Sequence, residues 1–210
     1  MYKTLKDGDD IIIDGEDIKF HTLRQQRVRS GQDDYLSLVD YLSDEDYIGV
    51  FAVTAGIGVD ELVKTYNDNH DTYKGILIKV IADRLAEAFA EYLHHMVRTQ
   101  YWGYDKREFT PKELFKGTYQ GIRPAIGYPS LPDHSEKKQL FKLLDIDEIT
   151  LTESFLMKPV ASVSGIYFAH KEAKYFDVFN IGEDQVIDYA KRKNISKRDV
   201  EKMIVNRIRY

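Results

Sequence analysis

Cysteine is absent from all 210 residues, which excludes disulfides, thiol nucleophiles and zinc–thiolate sites. No apolar run approaches the roughly 20 residues that a membrane span needs. Residues 1–10 lack the apolar core of a secretory signal. A cytoplasmic protein with no membrane contact is therefore the expectation. A net charge of −5 argues against a general nucleic-acid binder. Nucleotide and hydrolase motifs are missing as well. The segment Ala55-Gly-Ile-Gly58 has the first two glycines of a dinucleotide fingerprint, but Glu61 stands where the third belongs. Ser154 and Ser162–Ser164 lack a nucleophile elbow. The histidines at 21, 70, 94, 95, 134 and 170 show no metal-ligand spacing, and His94 and His95 point to different faces of a helix. No metal site and no catalytic dyad or triad is expected.

Proline is scarce, and its distribution is informative. Three of the five prolines fall within Arg123-Pro-Ala-Ile-Gly-Tyr-Pro-Ser-Leu-Pro-Asp-His-Ser-Glu-Lys137. Each fixes φ, removes a donor and restricts the residue before it. Between these rigid points lie a guanidinium (Arg123), a phenol (Tyr128) and an imidazole (His134). A stiff loop carrying several polar groups is a preorganised ligand site.

The remaining pattern predicts α+β architecture in one domain over 1–210: an antiparallel twisted sheet with flanking helices and one long central helix. Asp10–Asp14 and Asp17–His21 read as strands around the Asp14-Gly15 turn, and Tyr47–Thr54 as a buried strand. Tyr35–Leu42 reads as a short buried element. Asp60 is the expected cap of one helix, Pro111 opens a short one, and Ser135 with Glu136 caps another that runs to about Leu144. Thr72–Tyr101 reads as the long helix, with Leu77, Ile81, Leu85, Phe89, Tyr92 and Met96 forming one apolar stripe. Strands are expected over Thr150–Phe155, Ala161–Ala169 and Lys174–Phe179. Two C-terminal helices follow Gly182, broken near Asn194, with Ser196 capping the second. Charge is uneven: residues 188–210 hold 8 basic side chains against 3 acidic ones. That run reads as a solvated helical surface or as a docking face for an acidic partner.

The proline-rich loop, preceded by Tyr119-Gln-Gly-Ile122, resembles the signature loop of the C-terminal activation domain of cobalamin-dependent methionine synthase. Ile81-Ala-Asp-Arg-Leu-Ala-Glu-Ala-Phe-Ala-Glu-Tyr-Leu-His94 is similar to that family's long helix, and Tyr101-Trp-Gly-Tyr104 to the segment after it. Leu151-Thr-Glu-Ser-Phe155, Ala161-Ser-Val-Ser-Gly165 and Lys174-Tyr-Phe176 follow in family order. The resemblance runs from near Asp9 to about Asp199. It implies an S-adenosylmethionine-binding reactivation module that positions the methyl donor for reductive remethylation of cob(II)alamin. In this resemblance Arg123 holds the ligand carboxylate, while Ala125, Gly127, Tyr128, Tyr175, Phe176 and Glu87 line the pocket. His134 and Asp83 face cobalamin or a partner domain. Such a module is part of a methyltransferase rather than a complete active site. No Asp-x-His-x-x-Gly motif is present, so the cobalamin-binding module of methionine synthase would hold the corrinoid. Flavodoxin or a reductase would supply the electron. Relative to the family, the N-terminal part of the domain is expected to be missing. The alternative is a module that docks a corrinoid protein or electron donor without using S-adenosylmethionine.

Overall fold

The computed structural model describes residues 1–28 and 31–210. Its sheet is built from β1 (Tyr2–Asp7), β2 (Asp10–Ile13), β3 (Lys19–His21), β4 (Glu45–Thr54) and β7 (Ser162–Tyr167). The strand order is β3-β2-β1-β4-β7, and every pairing is antiparallel. Two shorter strands, β5 (Thr150–Leu151) and β6 (Met157–Lys158), form a separate hairpin. The α+β expectation with an antiparallel sheet therefore holds.

Strand β1 carries no sequence signal. In Tyr-Lys-Thr-Leu-Lys-Asp only Thr4 is buried, yet the segment pairs with both β2 and β4. Its neighbours supply the burial instead: Ile11 and Ile13 of β2 and Ile48 of β4 are almost wholly enclosed. Lys174–Phe179, in contrast, is not a strand. Its backbone bonds go to the proline-rich loop and to the side chains of Tyr41 and Gln25, with Val178 N–H donating to the Pro129 carbonyl at 2.9 Å. The Ser130 hydroxyl donates to the Phe176 carbonyl at 2.5 Å. An extended chain whose partners form a loop has no ladder to join.

Among the described residues six α-helices flank the sheet: α1 (Val59–Asp68), α2 (Thr72–Met96), α3 (Pro111–Lys116), α4 (Lys137–Leu144), α5 (Glu183–Lys193) and α6 (Lys197–Met203). A π-helical turn over Val97–Tyr101 continues α2 to the predicted end of the long helix. Two expected caps shift. Gly58, in the left-handed region at φ 78°, caps α1, and Asp60 lies inside its first turn. Asp133 rather than Ser135 accepts from the Ser135 N–H, opening the short 3-10 turn that leads into α4. Thr110 and Ser196 cap α3 and α6 with their hydroxyls.

The buried face of α2 is not its large apolar stripe. Ala82, Ala86 and Ala90 are buried, and Ala86 and Ala90 pack on Phe51 and Val53 of β4 and on Val163 and Tyr167 of β7. Phe51 and Tyr167 stack at 4.6 Å between centroids and already fill the gap, so only methyl groups fit opposite. Leu77, Ile81, Leu85, Phe89 and Tyr92 are exposed. The helix is apolar on more than one side, and the alanine ladder is the side the sheet accepts.

The basic C-terminal run also resolves differently from a free docking face. Lys191, Arg192 and Lys193 end α5, where cations complement the helix dipole. Arg192 pairs with Asp10 and with Asp188, and Lys193 with Asp133 and Glu136, so two of these three cations are held inward. Among the described residues no helix is long and apolar enough to cross a membrane.

Candidate functional site

The proline-rich loop is laid along the free edge of β7. Ile122 and Phe168 exchange both backbone hydrogen bonds at 3.0 Å, and Ile166 N–H donates to the Pro124 carbonyl at 3.1 Å. This close approach needs Gly165, because a Cβ there would lie 2.5 Å from the Pro124 carbonyl oxygen. The loop is thus a rigid sixth lane of the sheet, facing the C-terminal half of α2.

Between loop and helix lies a cavity of about 830 Å³. Glu87 and Glu91 line it from α2, Arg123, Ala125 and Tyr128 from the loop, and Tyr175 and Phe176 from the segment after β7. Arg84, Tyr119 and Val163 complete the wall. The volume suits a drug-sized or nucleoside-sized ligand.

Arg123 is the cation of this cavity, with its side chain only 17% exposed. Its Nη2 donates to Glu91 Oε2 at 3.1 Å, and its backbone N–H donates to the Tyr175 hydroxyl at 3.0 Å. The second bond fixes the Tyr175 ring, which remains 55% exposed and presents a face to the cavity. Burial pushes the Tyr175 phenol up, so it stays protonated at neutral pH. Tyr119 donates to Glu91 Oε2 at 3.3 Å, and burial raises its phenol to about 12.

Beneath these groups Arg98 is wholly buried, its guanidinium 3.6 Å from the Tyr119 ring centroid. Arg98 Nη1 lies 3.7 Å from Glu91 Oε1. His94, also wholly buried, has its pKa lowered to about 2 by burial first and then by Arg98 and Arg123. The imidazole is therefore neutral at physiological pH, and its Nε2 lies 3.0 Å from the Tyr104 hydroxyl.

Six of the nine residues singled out in the sequence meet at this cavity: Glu87, Arg123, Ala125, Tyr128, Tyr175 and Phe176. Gly127 lies below the lining, at φ 97°, where a Cβ would fall 2.2 Å from His134 Cε1. His134 is half-buried under that glycine, with Lys137 Nζ 2.9 Å from its Nδ1. Asp83 lines a separate cavity of about 130 Å³ with Lys79, Gly56 and Pro159. Sequence reasoning missed Glu91, Arg98 and Tyr119. Glu91 had one available signal, since it lies four residues beyond Glu87 on the same side of the helix. Arg98 had none, because a charged residue in the last turn of a helix reads as solvated.

A cavity with a largely buried guanidinium and aromatic walls has the make-up of a ligand-binding pocket. The sequence matches the family described as vitamin B12 dependent methionine synthase, activation domain, over residues 1–194. The fold is similar to the crystal structure of the MetH reactivation domain bound to AdoHcy, at 44% identity and a TM-score of 0.93. That likeness covers 100% of this chain and 69% of the relative. The chain belongs to the activation-domain family of B12-dependent methionine synthase.

Proposed function

We propose that this chain holds S-adenosylmethionine in the Arg123 cavity and presents it for reductive reactivation of methionine synthase. The observation that carries this reading is Arg123, a nearly buried guanidinium that opens on an apolar, aromatic-walled cavity. Its Nε has no hydrogen-bond partner. A guanidinium in this setting takes a carboxylate in two-point contact. The solved relative has S-adenosylhomocysteine bound, the product left when the methyl group has been given up.

When bound, S-adenosylmethionine supplies a methyl group on a sulfonium. The residues of this chain orient and do not react. Arg123 grips the carboxylate end, the Tyr175, Phe176 and Tyr128 rings pack on the nucleoside or the sulfonium, and Glu87 faces the positive charge. The walls exclude water around a donor that must meet its acceptor in line. The acceptor, cobalamin, belongs to another module of methionine synthase, and flavodoxin or a reductase supplies the electron, in the cytoplasm. His134 and Asp83 lie off the cavity and are left for contacts with those partners.

Calorimetric titration of S-adenosylmethionine into the chain and into Arg123→Ala tests this. Saturable binding that is lost in the variant supports the reading. Absence of binding in the unaltered chain sinks it and moves the function to docking alone.

A further inference from the structure

Among the described residues, seven buried side-chain polar atoms have no hydrogen-bond partner, and four of them belong to one triad: Glu91 Oε1, Arg98 Nε, Arg98 Nη2 and Arg123 Nε. Such atoms are rare in folded proteins, because each lacks what water would have given it. Their concentration in a single cluster requires a cause.

Counting charges supplies one. Two guanidiniums share one carboxylate. Glu91 gives Oε2 to Arg123 at 3.1 Å and leaves Oε1 at 3.7 Å from Arg98, beyond hydrogen-bond reach. Arg98 is wholly buried, and among the described residues Glu91 is the carboxylate within 4 Å of it. Its remaining neighbours are the neutral His94, at 3.4 Å from Nη1, and the rings of Tyr119 and Phe109. The cluster therefore carries one net positive charge in a low-dielectric setting, and one more carboxylate would balance it.

We propose that Glu91 and Arg98 are positioning residues that make a carboxylate hand-over beneath Arg123. Arg123 releases Glu91 to pair with a ligand carboxylate, and Glu91 closes the short gap to Arg98. Two guanidiniums then face two carboxylates, Glu91 Oε1 gains a partner in Arg98, and Arg123 Nε gains one in the ligand. Arg98 touches no ligand. It acts through Glu91, giving the displaced carboxylate somewhere to go, so that selection for a ligand bearing a carboxylate does not cost an orphaned anion. No covalent bond changes.

This inference rests on the ligand reading above and deepens it. The test compares S-adenosylhomocysteine with its decarboxylated analogue, which keeps the nucleoside, the sulfur and the amine. The readout is the dissociation constant of the decarboxylated analogue divided by that of S-adenosylhomocysteine. In Arg98→Met, Glu91 has only Arg123 to pair with, and the ratio should fall by roughly tenfold or more, the worth of one charge-assisted hydrogen bond. In Glu91→Gln the competitor of the ligand carboxylate is removed, and the ratio should hold or rise. A merely structural role would shift both variants the same way. Arg98→Lys, which keeps the charge and the fold, should restore most of the ratio. Parallel losses in Arg98→Met and Glu91→Gln, or no rescue by Arg98→Lys, would overturn the hand-over while leaving ligand binding intact. Failure of the unaltered chain to bind S-adenosylhomocysteine would instead remove the reading beneath it, and the hand-over with it.

Discussion

One buried ionic cluster is anchored on α5 and another lies at the end of α2, and they differ in how fully they are paired. On α5, Lys193 Nζ donates to Asp133 at 2.7 Å, to Ser135 at 2.8 Å and to Glu136. The Tyr189 hydroxyl donates to Asp133 at 2.9 Å, and the His21 N–H donates to Glu136 at 2.9 Å. Only His21 Nδ1 is left without a partner there. At the end of α2 the Arg98–Glu91–Arg123 triad leaves four such atoms. A saturated buried network ties elements together and specifies one arrangement, here the docking of α5 on the loop before α4. An under-satisfied one holds capacity for something the chain does not contain. Both are charged, buried and invisible to composition, and satisfaction is what separates architecture from site.

Removing one member should break the two clusters in opposite ways. Lys193→Met strands Asp133 and Glu136, both about 1% exposed, without their cation. Stranding buried carboxylates costs about 3–5 kcal/mol, so the urea midpoint should drop sharply with the slope unchanged. Arg123→Ala should do the reverse. Glu91 retains Arg98, and folding stability should barely move. Affinity for S-adenosylmethionine should fall by about 1.5–3 kcal/mol, the range for hydrogen bonds to a charged group. A large stability loss in Arg123→Ala would erase the distinction between the clusters.

Acid sharpens it further. His94 is kept neutral by burial and by the guanidiniums of the cavity cluster, with a folded pKa of about 2 against 6.5 unfolded. The unfolded chain therefore binds the proton first. Stability from this group is complete above pH 6.5 and is lost as pH falls towards 2, at about 1.4 kcal/mol per unit. Between pH 6.5 and 5 the unaltered protein should lose about 2 kcal/mol that His94→Gln does not lose. Matched urea titrations at the two pH values measure this. Equal losses in both proteins would show that His94 titrates freely.

Much of this was legible beforehand, for identifiable reasons. The proline-rich loop announced itself because proline and glycine act on the backbone locally, wherever the chain goes afterwards. The cavity residues on that loop and at Tyr175 and Phe176 followed from motif. Strand β1 was not legible, because its place between β2 and β4 is set by the burial of its neighbours and not by its own side chains. Lys174–Phe179 looked like a strand because extended backbone and β-rich composition do not say who the partner is. Arg98 could not be read at all: its burial depends on Tyr119 and Phe109, which arrive from elsewhere in sequence.

The helices that carry the two clusters extend the same contrast to apolar groups. On α5 the large residues Val186 and Tyr189 are fully enclosed, so periodicity and burial agree. On α2 they part company, since the alanines are inside and Leu85 is 56% exposed. Periodicity alone would assign Leu85→Ala the cost of a core truncation, about 2–5 kcal/mol. An exposed leucine loses little on truncation, and alanine is the better helix former, so the expected change is within about 0.5 kcal/mol. A thermal or urea midpoint settles which face α2 buries. A loss of core size would mean that the leucine stripe, and not the alanine ladder, meets the sheet, and would displace Glu91 from the cavity that the α2 cluster borders.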